Sequence, residues 1–313
     1  MKTVTYKGHQ RHRSAVSTKF LSSLSMLLMF MMVTSFYMGF NYGATKQQVA
    51  TENSLVDFIN NSNDSEIGHP DAQKRISFFK ETAKSFTPFT DKIGDSSRTG
   101  RDMHRYHNMY GNFLLPFAAA KPNFKFLEIG MGCNMSFGYG ASVKLWKKLF
   151  PKADLWEAEY DEKCVNEAKG KGLLDGMNVL VGDQADEAVL DKWIEQSGGK
   201  FDVIIDDGGH ANCQILKSFE KLWPQLNPGG YYYIEDLHVG NFYRDWKKCG
   251  KISDMMQEWQ MQLIFLTTLK QNRIMPKYPL PEDMIFVHCQ GEACVLGKRH
   301  SEINDPYVPA KGE

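Results

Sequence analysis

Short apolar runs alternate with amphipathic stretches along the second half of the chain. The run "FKFLEIG" at 124–130 is followed by "GASVKLWKKLF" at 140–150, in which apolar residues recur at helical spacing. The same succession repeats after "ADLWEAEY", "MNVLVGD" and "FDVIIDD", and "GGYYYIED" adds a fifth strand-like run. This alternation predicts a mostly parallel sheet that is covered by helices on both faces.

A hairpin closes the pattern. In "MIFVHCQGEACVLGK" at 284–298, two apolar runs flank a Gly291-Glu292 turn, so we expect an antiparallel edge on the sheet. The turn sets Cys289 opposite Cys294, and a disulfide and two free thiols are both open interpretations. The six cysteines include no CxxC pair, which argues against a structural zinc site.

The N-terminal part has a different pattern. Residues 1–19 carry basic residues and no acid, and "FLSSLSMLLMFMMVTSFYMGFNYGA" at 20–44 carries no charge. An uncharged run of this length can cross a bilayer, and its basic side should stay cytoplasmic. We therefore expect a transmembrane signal anchor at 20–42 and a single-pass type II protein of the Golgi or ER, with the rest of the chain in the lumen. The alternative is a cleaved signal peptide and secretion.

Residues 43–84 are polar, rich in Asn and Ser and poorly periodic, which predicts a stem without a core of its own. Its N-glycosylation sequons at Asn60 and Asn63 matter only if this side is lumenal. The expected segments are a basic tail, an anchor, the stem, a helical cap or substrate segment, an α/β domain and a C-terminal tail, at 1–19, 20–42, 43–84, 85–120, 121–300 and 301–313.

Composition adds two limits. The chain has 313 residues, which is ample for a buried core. It has 37 Lys and Arg against 37 Asp and Glu, so nothing in the overall charge indicates a nucleic-acid partner.

Acidic residues recur where the predicted strands end. Ligands of a parallel α/β sheet bind beyond the carboxyl ends of its strands, so these acids predict one shared site. In strand order the residues are Glu128, Gly130 and Gly132; Glu159; Asp183; Asp206, Asp207 and His210; and Glu235 and Asp236.

The first two strand ends favour a ligand that contains ribose but no phosphate. Glycines let the backbone approach a ligand, and a carboxylate at the end of the second strand can hold ribose hydroxyls. The segment "GMGCNM" lacks the third glycine of GxGxxG, and no Lys-Ser/Thr pair follows it, which weighs against dinucleotides and ATP. S-adenosylmethionine (SAM) fits this description.

The segments "FLEIGMGC", "LWEAEYD", "LVGDQAD", "FDVIIDDGGH" and "GGYYYIEDL", in this order, resemble a class I SAM-dependent methyltransferase. More narrowly, "IDDGGH" and "YYIEDL" resemble the metal-dependent macrocin- and mycinamicin-type sugar O-methyltransferases and the cephalosporin-hydroxylase-like group. Upstream, "FTDKIGDSSRTGRDMHRYHNMYGNFLLPF" is similar to a "TDK…H-Y…Y" segment of that group. The long loop after the first strand is similar to eukaryotic, notably fungal, members.

The resemblance implies a Rossmann-like fold and a SAM- and Mg²⁺-dependent O-methyltransferase. Its acceptor would be a hydroxyl of a sugar, a glycoconjugate or a related small molecule. A natural-product O-methyltransferase of the same fold is a second interpretation. A catalytically silent, membrane-tethered SAM-fold binding module is a third, from a different class of protein.

The resemblance also implies roles for individual residues. Neighbours on an extended strand face opposite ways, so only one of Asp206 and Asp207 can reach a metal, and we favour Asp207. Asp206 is then a structural or a cofactor-side carboxylate. Asp183 has two open roles, an adenine contact and the capping of the next helix. The implied sets are Glu128, Gly130, Gly132, Glu159, Asp183 and Asp206 for the cofactor; Asp207, Glu235 and Asp236 for the metal; His210 as the base; and Tyr106 and His107 for the substrate.

Overall fold

The computed structural model describes residues 65–87, 90–94, 104–135, 138–265, 268 and 275–301. The predicted tail 1–19, the predicted anchor 20–42, both sequons and residues 302–313 lie outside the described residues. Within the described ranges, no helix combines the length and the apolar character that crossing a membrane requires.

Among the described residues, seven strands form one sheet in the order β3-β2-β1-β4-β5-β7-β6. Strands β1 to β5 pair in parallel, and β7 pairs antiparallel with both β5 and β6. The predicted parallel sheet with an antiparallel C-terminal hairpin is confirmed. The strands are β1 Lys125–Ile129, β2 Asp154–Glu159, β3 Asn178–Val181, β4 Phe201–Asp206, β5 Leu226–Ile234, β6 Met284–Gln290 and β7 Ala293–Lys298.

Helices connect the strands and precede the first of them. A 3-10 turn at Asp91–Ile93 and a π-helical segment at Tyr110–Leu114 lie before β1. The α-helices are α1 Ala72–Lys84, α2 Tyr106–Met109, α3 Leu115–Ala120, α4 Ala141–Leu149, α5 Glu162–Gly170, α6 Glu187–Ser197, α7 Asn212–Leu222, α8 Trp246–Cys249 and α9 Ile252–Ile264.

Both faces of the sheet are buried. Successive side chains of a strand point to opposite faces, so β4 places Val203 and Ile205 on one side and Ile204 on the other. The first side packs against Trp146 of α4, and the second packs against Trp193 of α6. Burial on both faces is the physical reason why the parallel strands read as nearly continuous apolar runs.

The structure differs from the predicted polar stem in its last part, where α1 is folded against the core. Phe79 and Ala83 are fully buried, and the Phe79 ring stacks on Tyr110 with 5.2 Å between ring centroids. The Arg75 Nε donates to the carbonyl oxygen of Gly111 at 2.8 Å. Few residues of α1 are buried, so the segment is polar in composition, and its contacts with the core could not be recognised from the sequence.

All six cysteines lie in described residues, and all of them are paired. The disulfides are Cys133–Cys164, Cys213–Cys249 and Cys289–Cys294. The last one joins directly opposed residues of the β6–β7 hairpin, the alternative that the sequence left open. The other two join residues 31 and 36 positions apart, a distance at which sequence gives no register.

Candidate active site

A cavity of about 580 Å³ opens at the carboxyl ends of β1 to β5. Loops after β1, β2 and β3 form one half of its wall, and the ends of β4 and β5 form the other. The predicted site residues that line it are Gly130, Gly132, Glu159, Asp183, Asp207, His210 and Asp236. Glu128, Asp206, Glu235, Tyr106 and His107 do not line it.

Glu159 ends β2 in a fixed orientation within the first half. Its Oε2 accepts from the Met131 backbone N–H at 3.0 Å, and its Oε1 accepts from the Asp161 backbone N–H at 3.0 Å. These bonds leave further lone pairs on both oxygens. The side chain is therefore positioned to accept hydrogen bonds from vicinal hydroxyl groups.

Asp183 lines the same half of the cavity. Its Oδ1 accepts from the Ala185 backbone N–H at 2.8 Å within the loop after β3. The residue that caps helix α6 is Asp186, which accepts from the Ala188 N–H at 2.8 Å. The capping role that was open for Asp183 therefore belongs to Asp186.

Gly130 is required by the sheet itself. Its φ is +108°, and a Cβ at this position would lie 2.1 Å from the backbone oxygen of Asp207. The close approach that the sequence suggested is thus between the ends of β1 and β4. This approach brings the two halves of the cavity wall together.

Three candidate ligand side chains converge in the second half. Asp207, His210 and Asp236 each place one ligand atom within 4.8 Å of the others. His210 and Asp236 have φ values of 54° and 52°, in a region of backbone conformation that residues other than glycine seldom adopt. Backbone strain of this kind clusters at functional sites. Here it turns both side chains toward each other, with 3.5 Å between His210 Nε2 and Asp236 Oδ2.

Asp236 is held by two residues from the segment before β1. The Tyr106 hydroxyl donates to Asp236 Oδ1 at 2.5 Å, and His104 Nδ1 lies 3.1 Å from the same oxygen. Burial raises the pKa of Asp236, but the hydrogen bond from His104 and the nearby His210 outweigh it and hold the pKa below its ordinary value. The carboxylate is therefore ionised at neutral pH.

Beneath these residues, Lys92 is almost fully buried among acids. Its Nζ lies 2.6 Å from Asp207 Oδ2, 2.8 Å from Glu235 Oε2 and 3.1 Å from Glu128 Oε1. Burial lowers the pKa of this ammonium group, but the three carboxylates reverse the effect and raise it well above its ordinary value. Lys92 is therefore a fixed internal cation.

Glu235, which the resemblance assigns to the metal, is paired with Lys92 and Tyr110 in the structure. Its two oxygens accept from Lys92 and from the Tyr110 hydroxyl, and the side chain lies behind the cavity wall. β5 ends at Ile234, the Glu235 N–H still donates to the Asp206 carbonyl oxygen at 3.0 Å, and the backbone takes a positive φ at Asp236. The structure therefore brings Asp236, but not Glu235, to the cavity.

Asp206 faces away from the cavity and supports its wall. Its oxygens accept from Gln184 Nε2 at 3.0 Å and from the Ser218 hydroxyl. Gln184 Oε1 in turn accepts from the Gly209 N–H at 2.8 Å. Asp206 thus fixes the loop that carries His210, which is the structural role that the sequence left open beside a contact with the cofactor. Glu128, ion-paired with Lys92, is likewise a buried support.

The two predicted substrate contacts also differ from expectation. The Tyr106 hydroxyl is engaged by Asp236, so this residue positions a carboxylate. His107 does not line the cavity, and burial followed by the charges of Lys80, Arg105 and Lys84 lowers its pKa to about 4. Adjacent residues of a helix do not share a face, so these two could not both reach one ligand.

Sequence reasoning missed Lys92 and His104 as site residues. Both lie in the segment that resembles "TDK…H-Y…Y", which was the available signal. The resemblance gave no partners for them.

The convergent side chains fit a divalent cation. Two carboxylates supply oxygen donors, which hard cations accept, and the His210 imidazole lies beside them. Asp91 also lines the cavity, and burial followed by the charge of Asp207 raises its pKa. This crowding of carboxylates marks a region of negative potential that a cation would neutralise.

The strand order, the antiparallel β7 between β5 and β6 and the cavity beyond β1 to β5 define the class I methyltransferase fold. No family model matches the chain. Mycinamicin VI 2''-O-methyltransferase of Micromonospora griseorubida is 36% identical over 118 residues, 36% of this chain and 26% of that protein. Demethylmacrocin O-methyltransferase of Streptomyces fradiae is 35% identical over 117 residues, 36% of this chain and 27% of that protein.

A solved structure is similar over most of the chain. It is the MycE methyltransferase of mycinamycin biosynthesis in complex with Mg, SAH and mycinamycin VI, with a TM-score of 0.54 and 24% identity. The match covers 74% of this chain and 56% of that one. This likeness supports the fold.

The chain spans about a quarter of the length of the curated relatives named above. It is a relative of the macrocin- and mycinamicin-type O-methyltransferases and has the class I SAM-dependent methyltransferase fold, as the motifs predicted. The named relatives are bacterial, so the expected likeness to fungal members stays a prediction.

Proposed function

We propose that this protein transfers a methyl group from SAM to a hydroxyl of a sugar, a glycoconjugate or a related small molecule, with the help of a divalent cation such as Mg²⁺. One observation carries the proposal. A single cavity is lined by Glu159, which can accept hydrogen bonds from hydroxyl groups, and by Asp207, His210 and Asp236, whose side chains converge. The names of relatives that methylate sugars, and the Mg and SAH in the MycE complex, support the same reaction.

The proposed role of each residue follows from its position in the cavity. Glu159 would bind the ribose hydroxyls of SAM, and Asp207 and Asp236 would hold the cation. When bound, the cation would acidify an acceptor hydroxyl and SAM would supply the methyl group.

His210 is the candidate base. Its imidazole would take the proton of the acceptor hydroxyl, and the neighbouring Asp236 carboxylate would stabilise the imidazolium that forms. Tyr106 and His104 keep that carboxylate in place, so the proton acceptor is held in one orientation as methyl transfer requires.

We further propose that the catalytic domain acts in the lumen of the Golgi or ER behind the type II anchor expected at 20–42. Three disulfides support this location, because disulfides persist in oxidising compartments and are rare in the cytosol.

Calorimetry on the full chain tests cofactor binding, with SAM as the ligand and NAD as the comparison. We expect binding of SAM alone. Failure to bind SAM would contradict the proposal, and binding of SAM without transfer to any acceptor hydroxyl would favour a silent binding module.

Two substitutions then test the roles. His210→Ala should lower kcat by about 10²- to 10⁴-fold with little change in SAM affinity. The control His288→Ala, at an exposed position, should leave kcat unchanged. Asp207→Asn should abolish the dependence of turnover on added Mg²⁺, and exposed Asp175→Asn should leave it intact. Full activity of His210→Ala would show that another group is the base.

A further inference from the structure

We propose that the loop 239–251, here called the rim loop, recognises an acceptor that carries a sugar ring and a negatively charged group. The inference rests on the proposed function, since it names the acceptor class for the same cavity. The rim loop begins three residues after Asp236, and the Val239 N–H donates to the Asp236 carbonyl oxygen at 2.9 Å. The rim loop is therefore anchored directly beside Asp236, a candidate metal ligand.

The rim loop exposes three aromatic side chains. Phe242 is 79% exposed, Tyr243 46% and Trp246 37%. Tyr243 also lines the cavity, so this surface is continuous with the site. Large apolar side chains that cluster on a surface mark a binding region. Flat aromatic faces suit the C–H face of a sugar ring.

Basic residues are interleaved with these aromatics. Arg244, Lys247 and Lys248 are exposed, and Lys251 is half-buried. The Nζ atoms of Lys247 and Lys251 lie 5.9 and 5.3 Å from the centre of the Trp246 ring. A surface of one sign beside a cavity attracts a ligand of the opposite sign.

The only acid of the rim loop is directed inward. Asp245 Oδ1 accepts from Asn212 Nδ2 at 3.0 Å, and its Oδ2 accepts from the Cys213 N–H at 2.7 Å. These bonds face the start of helix α7, which begins two residues after His210. The outer side of the rim loop is therefore left with its basic residues.

A disulfide fixes the rim loop relative to the candidate base. Cys249 is bonded to Cys213 at the start of α7, and Asn212 Nδ2 donates to the Gly240 carbonyl oxygen at 2.8 Å. A surface held in this way need not be ordered when the acceptor binds, which favours affinity. The same construction argues for an acceptor that must be aligned with His210, rather than for a loose membrane contact.

A matched pair of glycosides tests the charge requirement. The probes are p-nitrophenyl β-D-glucuronide and p-nitrophenyl β-D-glucoside, which differ by one carboxylate. Their binding to the full chain in the presence of SAH is followed by Trp fluorescence and calorimetry. We expect the glucuronide to bind at least about threefold more tightly than the glucoside at low salt, because one exposed ion pair contributes a difference in affinity of that size. The difference should shrink as salt is added. Equal binding, or no binding of either probe, would overturn the proposal.

Variants locate the effect. Lys247→Gln/Lys248→Gln should remove the preference, whereas Lys163→Gln/Lys192→Gln, two exposed lysines outside the rim loop, should keep it. Trp246→Ala should weaken both probes by about fivefold. Cys213→Ser/Cys249→Ser should weaken both probes while SAM affinity stays unchanged. Unchanged glycoside binding in all three rim-loop variants would overturn the proposal.

Three further outcomes separate the alternatives. Sedimentation with phosphatidylserine-containing vesicles that depends on Lys247 and Lys248, without discrimination between the glycosides, would overturn the proposal in favour of a membrane contact. Absence of SAM binding would contradict the proposed function. Loss of glycoside discrimination with SAM binding intact would contradict only the assignment of the rim loop.

Discussion

At the scale of the residue, the buried ammonium group of Lys92 sets the charge beneath the site. It lies within 3.1 Å of carboxylate oxygens at the carboxyl ends of β1, β4 and β5, those of Glu128, Asp207 and Glu235. Glu128 and Glu235 have almost no access to solvent, and Lys92 is the cation that both contact, while Glu235 also accepts from the Tyr110 hydroxyl. A buried charge without a partner is costly, whereas a paired one is tolerated.

Replacement of Lys92 should therefore destabilise the fold. We expect Lys92→Met to lower the free energy of unfolding by about 3–5 kcal/mol, because it leaves buried carboxylates uncompensated. Urea denaturation at neutral pH measures the change, and Lys192→Met on the surface is the control. If both variants have the same stability, the carboxylates beneath the site do not depend on Lys92.

His104 gives the site a dependence on pH. Burial lowers the pKa of His104, but the hydrogen bond to Asp236 outweighs it, so the pKa lies above its ordinary value. A raised pKa in the folded state means stabilisation that is complete below the unfolded pKa of about 6.5 and lost as pH rises through the folded pKa. The stability difference between the wild type and His104→Gln should thus be larger in acid than in alkali. Denaturation at about pH 5.5 and about pH 9 checks the sign, and a pH-independent difference would contradict it.

At the scale of the element, the site depends on the close approach of the ends of β1 and β4. Gly130 allows it, since a Cβ at this position would overlap the Asp207 backbone. The π-helical segment Tyr110–Leu114 has a comparable role on the other side of the site. The hydroxyls of Tyr106 and Tyr110, before and within that segment, reach Asp236 and Glu235.

Gly130→Ala should disturb both strand ends. We expect a loss of about 2 kcal/mol or more in the free energy of unfolding and weaker SAM binding, because a left-handed φ is unfavourable with a Cβ and the neighbouring atom is backbone. Gly170→Ala is the matched control, since nothing lies within 4 Å of the added Cβ at the end of α5. That change should be neutral or stabilising by up to about 1 kcal/mol. Equal effects of the two substitutions would show that the approach of β1 and β4 is not tight.

At the scale of the whole molecule, the three disulfides and the anchor expected at 20–42 both support the proposed location of the catalytic domain in the lumen of the Golgi or ER. We expect no thiol to react in the unreduced, unfolded protein, and six after reduction, because all the cysteines are paired. Reduction should also lower Tm, since bridges across loops of 31 and 36 residues restrict the unfolded chain. Thiol titration and thermal scans measure both effects.

The location itself is tested through the sequons. A glycosidase-sensitive mobility shift that is lost in Asn60→Gln/Asn63→Gln would support the lumenal topology. Bare asparagines in the native cell, together with reactive thiols, would contradict it.

The sequence alone determined the parallel sheet, its hairpin edge and the strand ends at which the site lies. These follow from local periodicity, because alternation of short apolar runs with helical stretches dictates how each segment buries itself. It also placed Asp207, His210 and Asp236 at the end of the sheet, and the resemblance gave the fold and the cofactor class. It favoured Asp207 over Asp206 for the metal, but it did not separate Asp236 from Glu235, which directly precedes it.

Tertiary structure decided which acids face the cavity and which are buried supports. The bonds from Lys92 to Asp207 and Glu235 join residues 115 and 143 positions apart, and the two long-range disulfides bridge equally unpatterned segments. Side-chain direction at a strand end depends on where the backbone turns, and at Asp236 that turn is fixed by partners from another segment. Local pattern sets the elements, whereas packing between distant segments sets the charge and geometry of the site.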